Sequence, residues 1–281
     1  MTRASTRLRK ISFLARNNPG LLAELGWRRV ARRRPSSGTV EGRVGDVTFS
    51  FELDLDPDVR AMWHRRYEVP IVRLMRRYLP RGGTFVDVGA NIGYISANAA
   101  ALVGPTGRVV ALEPVNRYFQ RLRRLAEQNP SHRIETIRVA AGAVVGRATI
   151  RISDADNIGY NSLTPNWVGD DVLGDVEEVD VAPLDQILPA HAVDRVDLLK
   201  IDTEGFEIPV LEGASDVLDR FRPTVLLEVT ASAARNHGKS LEYLATLVDD
   251  LGYTVHAVEA PSVSVDLAAV EGRVDVLLLR R

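Results

Sequence analysis

The chain is 281 residues long, 45% hydrophobic, 26% charged and 6% aromatic, which is the composition of a folded globular protein and excludes disordered, collagen-like and disulfide-framework classes. It has no cysteine, so thiolate nucleophiles, disulfides and cysteine-ligated zinc or iron–sulfur centres are excluded as well. The net charge of −1 conceals an asymmetry: residues 1–34 carry ten Lys/Arg against the single Glu24, leaving about −10 on the remainder.

Taken in chain order, Ile11-Ser12-Phe13-Leu14-Ala15 is too short an apolar run for a signal peptide, and Arg16 closes it. The basic stretch, with Leu8, Ile11, Leu14, Leu21, Leu22 and Leu25 interleaved, predicts a helical arm over residues 1–38. Such runs are usually solvated faces packed on an acidic body; peripheral contact with an anionic membrane surface or with phosphate is the alternative. Arg32 to Gly38 reads as a hinge. Residues 39–80 read as a lead-in: alternation through Val40, Val44, Val47, Phe49, Phe51 and Leu53 predicts a hairpin turning at Gly45-Asp46. Asp58 then caps one helix with Val59, Met62, Trp63, Tyr67, Ile71, Leu74, Met75 and Tyr78 inward, ending before Pro80.

The main domain spans residues 81–281. Strands are expected at 85–88, 109–112, 134–139, 196–201, 225–229, 255–258 and 274–279, with helices after the first two strands and over 207–220 and 240–250. Repeated strand–helix–strand units predict an α/β fold, a doubly wound, mostly parallel seven-stranded sheet covered on both faces. Between 140 and 183 the alternation fails, leaving a hairpin around 148–152 and a polar insert over 153–175. The longest uncharged window, 89–107, contains Asn91, Ser96, Asn98, Pro105 and four glycines, so no membrane span is read and a cytoplasmic location is expected.

In such sheets ligands bind beyond the carboxyl ends of the strands, near the point where strand order reverses. The first edge, Asp87-Val88-Gly89-Ala90-Asn91-Ile92-Gly93, lets backbone approach a ligand closely, but its spacing is not the Gly-x-Gly-x-x-Gly of dinucleotide sites. Asp87 would repel a pyrophosphate and attract a cationic ligand. Glu113, at the end of the next strand and 20 residues beyond Gly93, can accept both hydroxyls of a ribose. Asp202 and Glu204 follow a third strand where a reacting group should lie, whereas Glu207 is explained by the helix dipole. Glu228 ends a fourth strand, before a loop containing His237. Asp202, Glu204 and Glu228 offer oxygen-only ligation of the kind magnesium takes, yet adjacent carboxylates more often hydrogen-bond without metal, so none is assigned.

FVDVGANIGYIS (85–96), VVALEP (109–114), IRVAAGAVVG (137–146), LLKIDTEGFEIPVLEGA (198–214) and TVLLEV (224–229) together resemble the FkbM family of S-adenosylmethionine-dependent methyltransferases, over about residues 81–259. The resemblance implies a class I methyltransferase fold, with S-adenosyl-L-methionine as cofactor. It places Asp87, Gly89, Asn91 and Gly93, with Ala90 in the same turn, around the methionine and sulfonium, and Glu113 on the ribose. Ala140 and Ala141 would flank the adenine and Asp202 would lie near the methionine amine or the reacting centre. The implied acceptor is a hydroxyl of a sugar, glycolipid or polyketide. In-line displacement needs a base for the departing proton, and His237, Glu204 and Asp202 are the candidates. His64, His132, His191 and His256 read as structural, and Asn157 to Ser162 in the insert as a candidate acceptor contact. Two rivals remain: an RNA methyltransferase using the arginine-rich arm, which the acidic body and scarce aromatics disfavour, and a cofactor-binding scaffold without catalysis.

Overall fold

The computed structural model describes residues 37–152, 175–232 and 238–281. The expected arm up to residue 36, the insert with Asn157 to Ser162, and His237 lie outside the described residues.

Alternating apolar side chains build an antiparallel hairpin, β1 (Thr39–Val44) and β2 (Val47–Glu52), in which Val44 faces Val47 across the Gly45-Asp46 turn. The single helix expected after it is two: α1 (Pro57–Trp63) and α2 (Val69–Tyr78). The cap is Asp56, whose carboxylate accepts the Asp58 amide at 2.6 Å, and not Asp58. The break follows from two residues in the left-handed region, Arg65 (φ 56°) and Glu68 (φ 49°), and from Pro70, which disfavours helix at the residue before it. The helical periodicity persists across the break and hides it.

The central sheet comprises β3 (Thr84–Val88), β4 (Arg108–Leu112), β5 (Ile134–Ile137), β9 (Leu198–Ile201), β10 (Thr224–Thr230), β11 (Tyr253–Ala257) and β12 (Arg273–Arg280). Its spatial order is β11-β12-β10-β9-β3-β4-β5, parallel except for β12, which runs antiparallel to both neighbours. The order reverses between β3 and β9. The sheet is therefore doubly wound, as expected, with the ligand crevice predicted where β3 and β9 end side by side. One face is covered by the hairpin, α1, α2, α3 (Tyr94–Val103) and α4 (Asn116–Gln128), the other by α5 (Leu184–Ala190), α6 (Glu207–Glu212), α7 (Ser215–Phe221) and α8 (Leu241–Asp250). Strand residues alternate between the two cores, Phe85 and Val109 inward to one, Val86 and Val110 to the other.

Two local expectations change. The helix expected over 207–220 is interrupted at Gly213-Ala214, where the chain passes so close to another segment that a Cβ on Gly213 would lie 2.0 Å from the Gly142 carbonyl oxygen. The region after β5 forms a small second sheet, with β8 (Val176–Ala182) parallel to β6 (Ala140–Ala141) and antiparallel to β7 (Gly146–Arg151). The hairpin expected around 148–152 is thus one strand whose partner lies beyond the insert. Among the described residues no helix is long and apolar enough to cross a membrane.

Candidate active site

A cavity of about 900 Å³ opens where β3 and β9 end together, and most of the residues singled out from the sequence line it. Asp87 is fully buried at the end of β3. Its Oδ2 accepts the Ser96 hydroxyl at 2.6 Å, while Oδ1 has no hydrogen-bond partner among the described residues. Burial pushes this carboxyl up, opposed by the Lys200 ammonium and by Ser96. A buried carboxylate with one unsatisfied oxygen beside a cavity attracts a cationic ligand.

The turn that follows is shaped by two left-handed residues. Gly89 (φ +80°) brings the turns after β3 and β9 together so closely that a Cβ there would sit 1.9 Å from the Asp202 carbonyl oxygen. Asn91 (φ 52°) takes the second, and its side chain accepts the Ile92 amide at 2.7 Å. Ala90 and Asn91 line the cavity. Gly93 does not line it: this residue packs against α4, where a Cβ would stand 2.8 Å from Leu122 Cδ1.

Glu113 follows β4 and is 5% exposed. Its Oε2 accepts the Asn91 amide at 2.8 Å and its Oε1 the Val115 amide at 2.9 Å, which ties the two turns together and leaves a lone pair on each oxygen for a ligand hydroxyl. Burial raises this carboxyl to about 7 against the pull of those two amides. Ala140 and Ala141 reach the same cavity from β6, beside Val139 and Ile150, giving that side a smooth apolar wall.

Past β9, Lys200 Nζ donates to Asp202 Oδ2 at 2.6 Å from an almost fully buried position. The neighbouring carboxylates of Asp202 and Asp87 keep this ammonium charged despite burial. Glu207 does more than complement a helix dipole: its Oε1 accepts the Thr203 amide, the Thr203 hydroxyl and the Gly205 amide at 2.9–3.0 Å, fixing the turn that carries Asp202 and Glu204. Glu204, in the left-handed region (φ 51°), faces Arg273 Nη1 at 3.2 Å. Burial and the Asp202 charge push Glu204 up to about 8, Arg273 opposing. Glu228, 2% exposed, forms an ion pair with Arg273 Nη2 without hydrogen-bond geometry, and burial, Asp202 and Glu204 raise it strongly.

Oxygens of Asp202, Glu204 and Glu228 lie within 4.8 Å of one another. Burial and mutual repulsion of these carboxyls outweigh the Arg273 guanidinium, so the cluster retains a proton near neutrality. His64, His132, His191 and His256 do not line the cavity; His191 instead pairs with Glu135 at 2.5 Å and His132 with Asp46 at 3.4 Å.

Sequence reasoning missed four contributors. Arg273 opens β12 opposite Thr230, a position indistinguishable in sequence from a surface arginine. Met62 and Tyr67, from the lead-in, wall the cavity, although their periodicity announced only an inward-facing helix. Ser96 lies in the first turn of α3, where nothing in the sequence marks its hydroxyl as the partner of Asp87.

Residues 87–255 match the family model described as Methyltransferase FkbM domain. The AMB antimetabolite synthetase AmbE of Pseudomonas aeruginosa is 30% identical over 181 residues, an alignment covering 53% of this chain and 8% of that protein. Among solved structures, methyltransferase FkbM from Methylobacillus flagellatus KT is 22% identical with a TM-score of 0.45, covering 71% of this chain and 45% of that one. Aeropyrum pernix fibrillarin in complex with natively bound S-adenosyl-L-methionine is 14% identical with a TM-score of 0.41, covering 88% of this chain and 84% of that one. The chain therefore spans under a tenth of the curated relative and under half of the FkbM structure.

Proposed function

The chain belongs to the FkbM methyltransferase family, whose methyl donor is S-adenosylmethionine, and from that premise we propose that it methylates a hydroxyl oxygen of a sugar, glycolipid or polyketide-type acceptor. The observation that carries the reading is the convergence of Asp87, Glu113 and Asp202 on one cavity at the sheet's switch point.

These residues fit the donor. The unsatisfied Asp87 oxygen suits a cationic methionine–sulfonium moiety, the free lone pairs of Glu113 suit ribose hydroxyls, and the wall of Val139, Ala140, Ala141 and Ile150 suits an adenine ring. Bound there, the donor supplies an electrophilic methyl group on a sulfur that loses its positive charge on transfer. The protein's part is first geometric: holding nucleophile, carbon and leaving atom in line is worth on the order of 7–11 kcal/mol. Met62, Ile95 and Phe206 keep water from the crevice.

The acceptor oxygen must also lose a proton. Asp202 is held by Lys200 and acts as a positioning residue for the turn. Glu204, pushed up to about 8, is matched to take that proton near neutral pH, beside Glu228 and with the Arg273 guanidinium balancing the charge; His237 is the alternative base. General-base assistance of this kind contributes roughly 10²–10⁴ in rate.

The test is transfer of tritium from methyl-labelled S-adenosylmethionine to a glycolipid extract, to RNA, and to neither, with Asp87→Asn as control. Incorporation into glycolipid that disappears in the variant supports the reading. Incorporation into RNA alone replaces the acceptor class, and tight donor binding with no transfer to any extract leaves a scaffold.

A further inference from the structure

Beside the donor cavity lies a second, wider groove of about 1130 Å³, open to solvent, between the β1–β2 hairpin, α1, α2 and α3. Its rim carries Arg43 from β1, Arg65 from the turn after α1, and Arg73 and Arg76 from α2. Four guanidiniums from three separate segments thus converge on one opening. None of the four has a carboxylate at ion-pair distance among the described residues, whereas Arg108, Arg121, Arg138 and Arg273 all have one. Among the described residues, these rim arginines bond through their side chains to main-chain carbonyls: Arg43 to that of Asp46 at 2.8 Å, and Arg65 to that of Arg43 at 3.2 Å.

The local backbone adds to the case. Helix α1 ends with the Arg65 amide bonded to the Met62 carbonyl and the Arg66 amide to the Ala61 carbonyl, a Schellman closure whose left-handed position normally takes glycine. Here it is filled by Arg65 (φ 56°), which sets the side chain at the groove rim. The groove floor is aromatic. Trp63 lies against Phe51 with ring centroids 5.0 Å apart, and Tyr67 against Tyr94 at 6.0 Å. Met62, Tyr67 and Tyr94 line both this groove and the donor cavity, so the two spaces share a wall. Residues 1–34 carry ten Lys/Arg against one Glu, a net charge of the same sign as the rim, so charge complementarity favours an anionic ligand instead.

We infer that this groove binds a phosphate or phosphodiester group carried by the methyl acceptor, with the acceptor's carbon skeleton on the aromatic floor and its hydroxyl directed past Tyr67 toward the donor. The inference deepens the proposed methyltransferase reading and rests on it. Planar guanidiniums match phosphate oxygens bidentately, and binding energy gained at a remote charged group is available to orient the reacting one. The same phosphate chemistry could be presented by a soluble sugar phosphate or by a lipid-linked one.

The test uses the full chain and calorimetric titration with glucose 1-phosphate against glucose, and co-sedimentation with phosphatidylglycerol vesicles against phosphatidylcholine vesicles. Arg73→Gln/Arg76→Gln and Arg43→Gln/Arg65→Gln are compared with the parent, and S-adenosylhomocysteine affinity is measured in each as the check on folding and on the donor site. The expected result is saturable, salt-sensitive binding of glucose 1-phosphate or of the anionic vesicles, weakened about tenfold or more in each double variant, with unchanged S-adenosylhomocysteine affinity. Glucose 1-phosphate binding identifies a soluble source, and vesicle binding alone a lipid-borne one. The inference is overturned if neither anion binds better than its neutral counterpart, if the substitutions leave binding intact, or if an oligoribonucleotide alone depends on these arginines. Absence of S-adenosylhomocysteine binding in the parent, with anion binding retained, would instead defeat the proposed methyl transfer and leave the groove as an anion site.

Discussion

Gly89 and Gly93 both have positive φ angles and lie four residues apart, yet replacing each with alanine should have different consequences. In Gly89→Ala the new Cβ meets the Asp202 carbonyl oxygen at 1.9 Å, a main-chain atom that cannot rotate away, so the turns after β3 and β9 must separate by roughly 1 Å. The left-handed backbone costs about 1–2 kcal/mol and the overpacking about 1–3 kcal/mol more. The separation moves Asp87 relative to Asp202, and a misplacement of that size in a site depending on alignment lowers kcat/KM by about 10². In Gly93→Ala the new atom meets the ends of Leu122 and Leu125 at 2.8 and 3.0 Å, which can yield, and Gly93 does not line the cavity. Stability should fall by about 1–3 kcal/mol while S-adenosylhomocysteine affinity stays within about threefold. Urea unfolding gives the first quantity for both variants and calorimetric titration the second. Wild-type affinity in Gly89→Ala, or a larger loss of affinity in Gly93→Ala, would refute the assignment of the first turn to the donor and the second to helix packing.

Other consequences concern the carboxylates. Glu113→Gln must turn its NH₂ toward either the Asn91 or the Val115 amide, losing one of two hydrogen bonds, so it should destabilise the protein by about 1–3 kcal/mol in urea unfolding and weaken donor binding. Because Glu113 and Glu204 are raised to about 7 and about 8 from an ordinary 4.5, the native protein holds protons that the unfolded chain has released. Their stabilising contribution is complete below pH 4.5 and is lost as pH rises through 7 and 8, so the Tm of the ligand-free protein should fall between pH 5 and pH 9. A Tm that rises across that range would contradict the shifts. Donor affinity should move oppositely, increasing through pH 7 as Glu113 ionises, which titrations at pH 6 and pH 8 would read. The pH profile of methyl transfer should climb with an apparent pKa near 8 and lose that limb in Glu204→Gln; retention of the limb would move the base to His237.

The sheet was legible because strands buried on both faces read as short continuous apolar runs, and Asp87 stood out as a charge inside such a run, as Lys200 and Glu228 do in β9 and β10. Glu113 and Asp202 were legible for the same reason, each directly following an apolar strand. What escaped detection depends on tertiary contact. The α1–α2 break rests on left-handed residues that are not glycine, and β8, with Val179 and Val181 inward, finds its antiparallel partner only across the insert. Arg273 was invisible because an arginine at a strand start ordinarily faces solvent; its placement between Glu204 and Glu228 is decided by how β12 pairs with β10.

Charge divides the two neighbouring spaces. Asp87, Glu113, Asp202, Glu204 and Glu228 gather at the strand ends, where Lys200 and Arg273 supply counter-charge among the described residues, so that region favours a cation over an anion. Across the wall formed by Met62, Tyr67 and Tyr94, the rim is cationic with no acid at ion-pair distance among the described residues. A donor that arrives as a sulfonium and leaves as a neutral thioether loses attraction to the carboxylates at the moment of transfer, which favours exchange of spent donor. An anionic acceptor keeps its charge through the reaction, so its hold on the arginines is unchanged by methylation. On the proposed reading, release of methylated product then depends on salt and on the number of rim arginines, while donor exchange depends on Asp87 and its neighbours, and the two can be tuned independently.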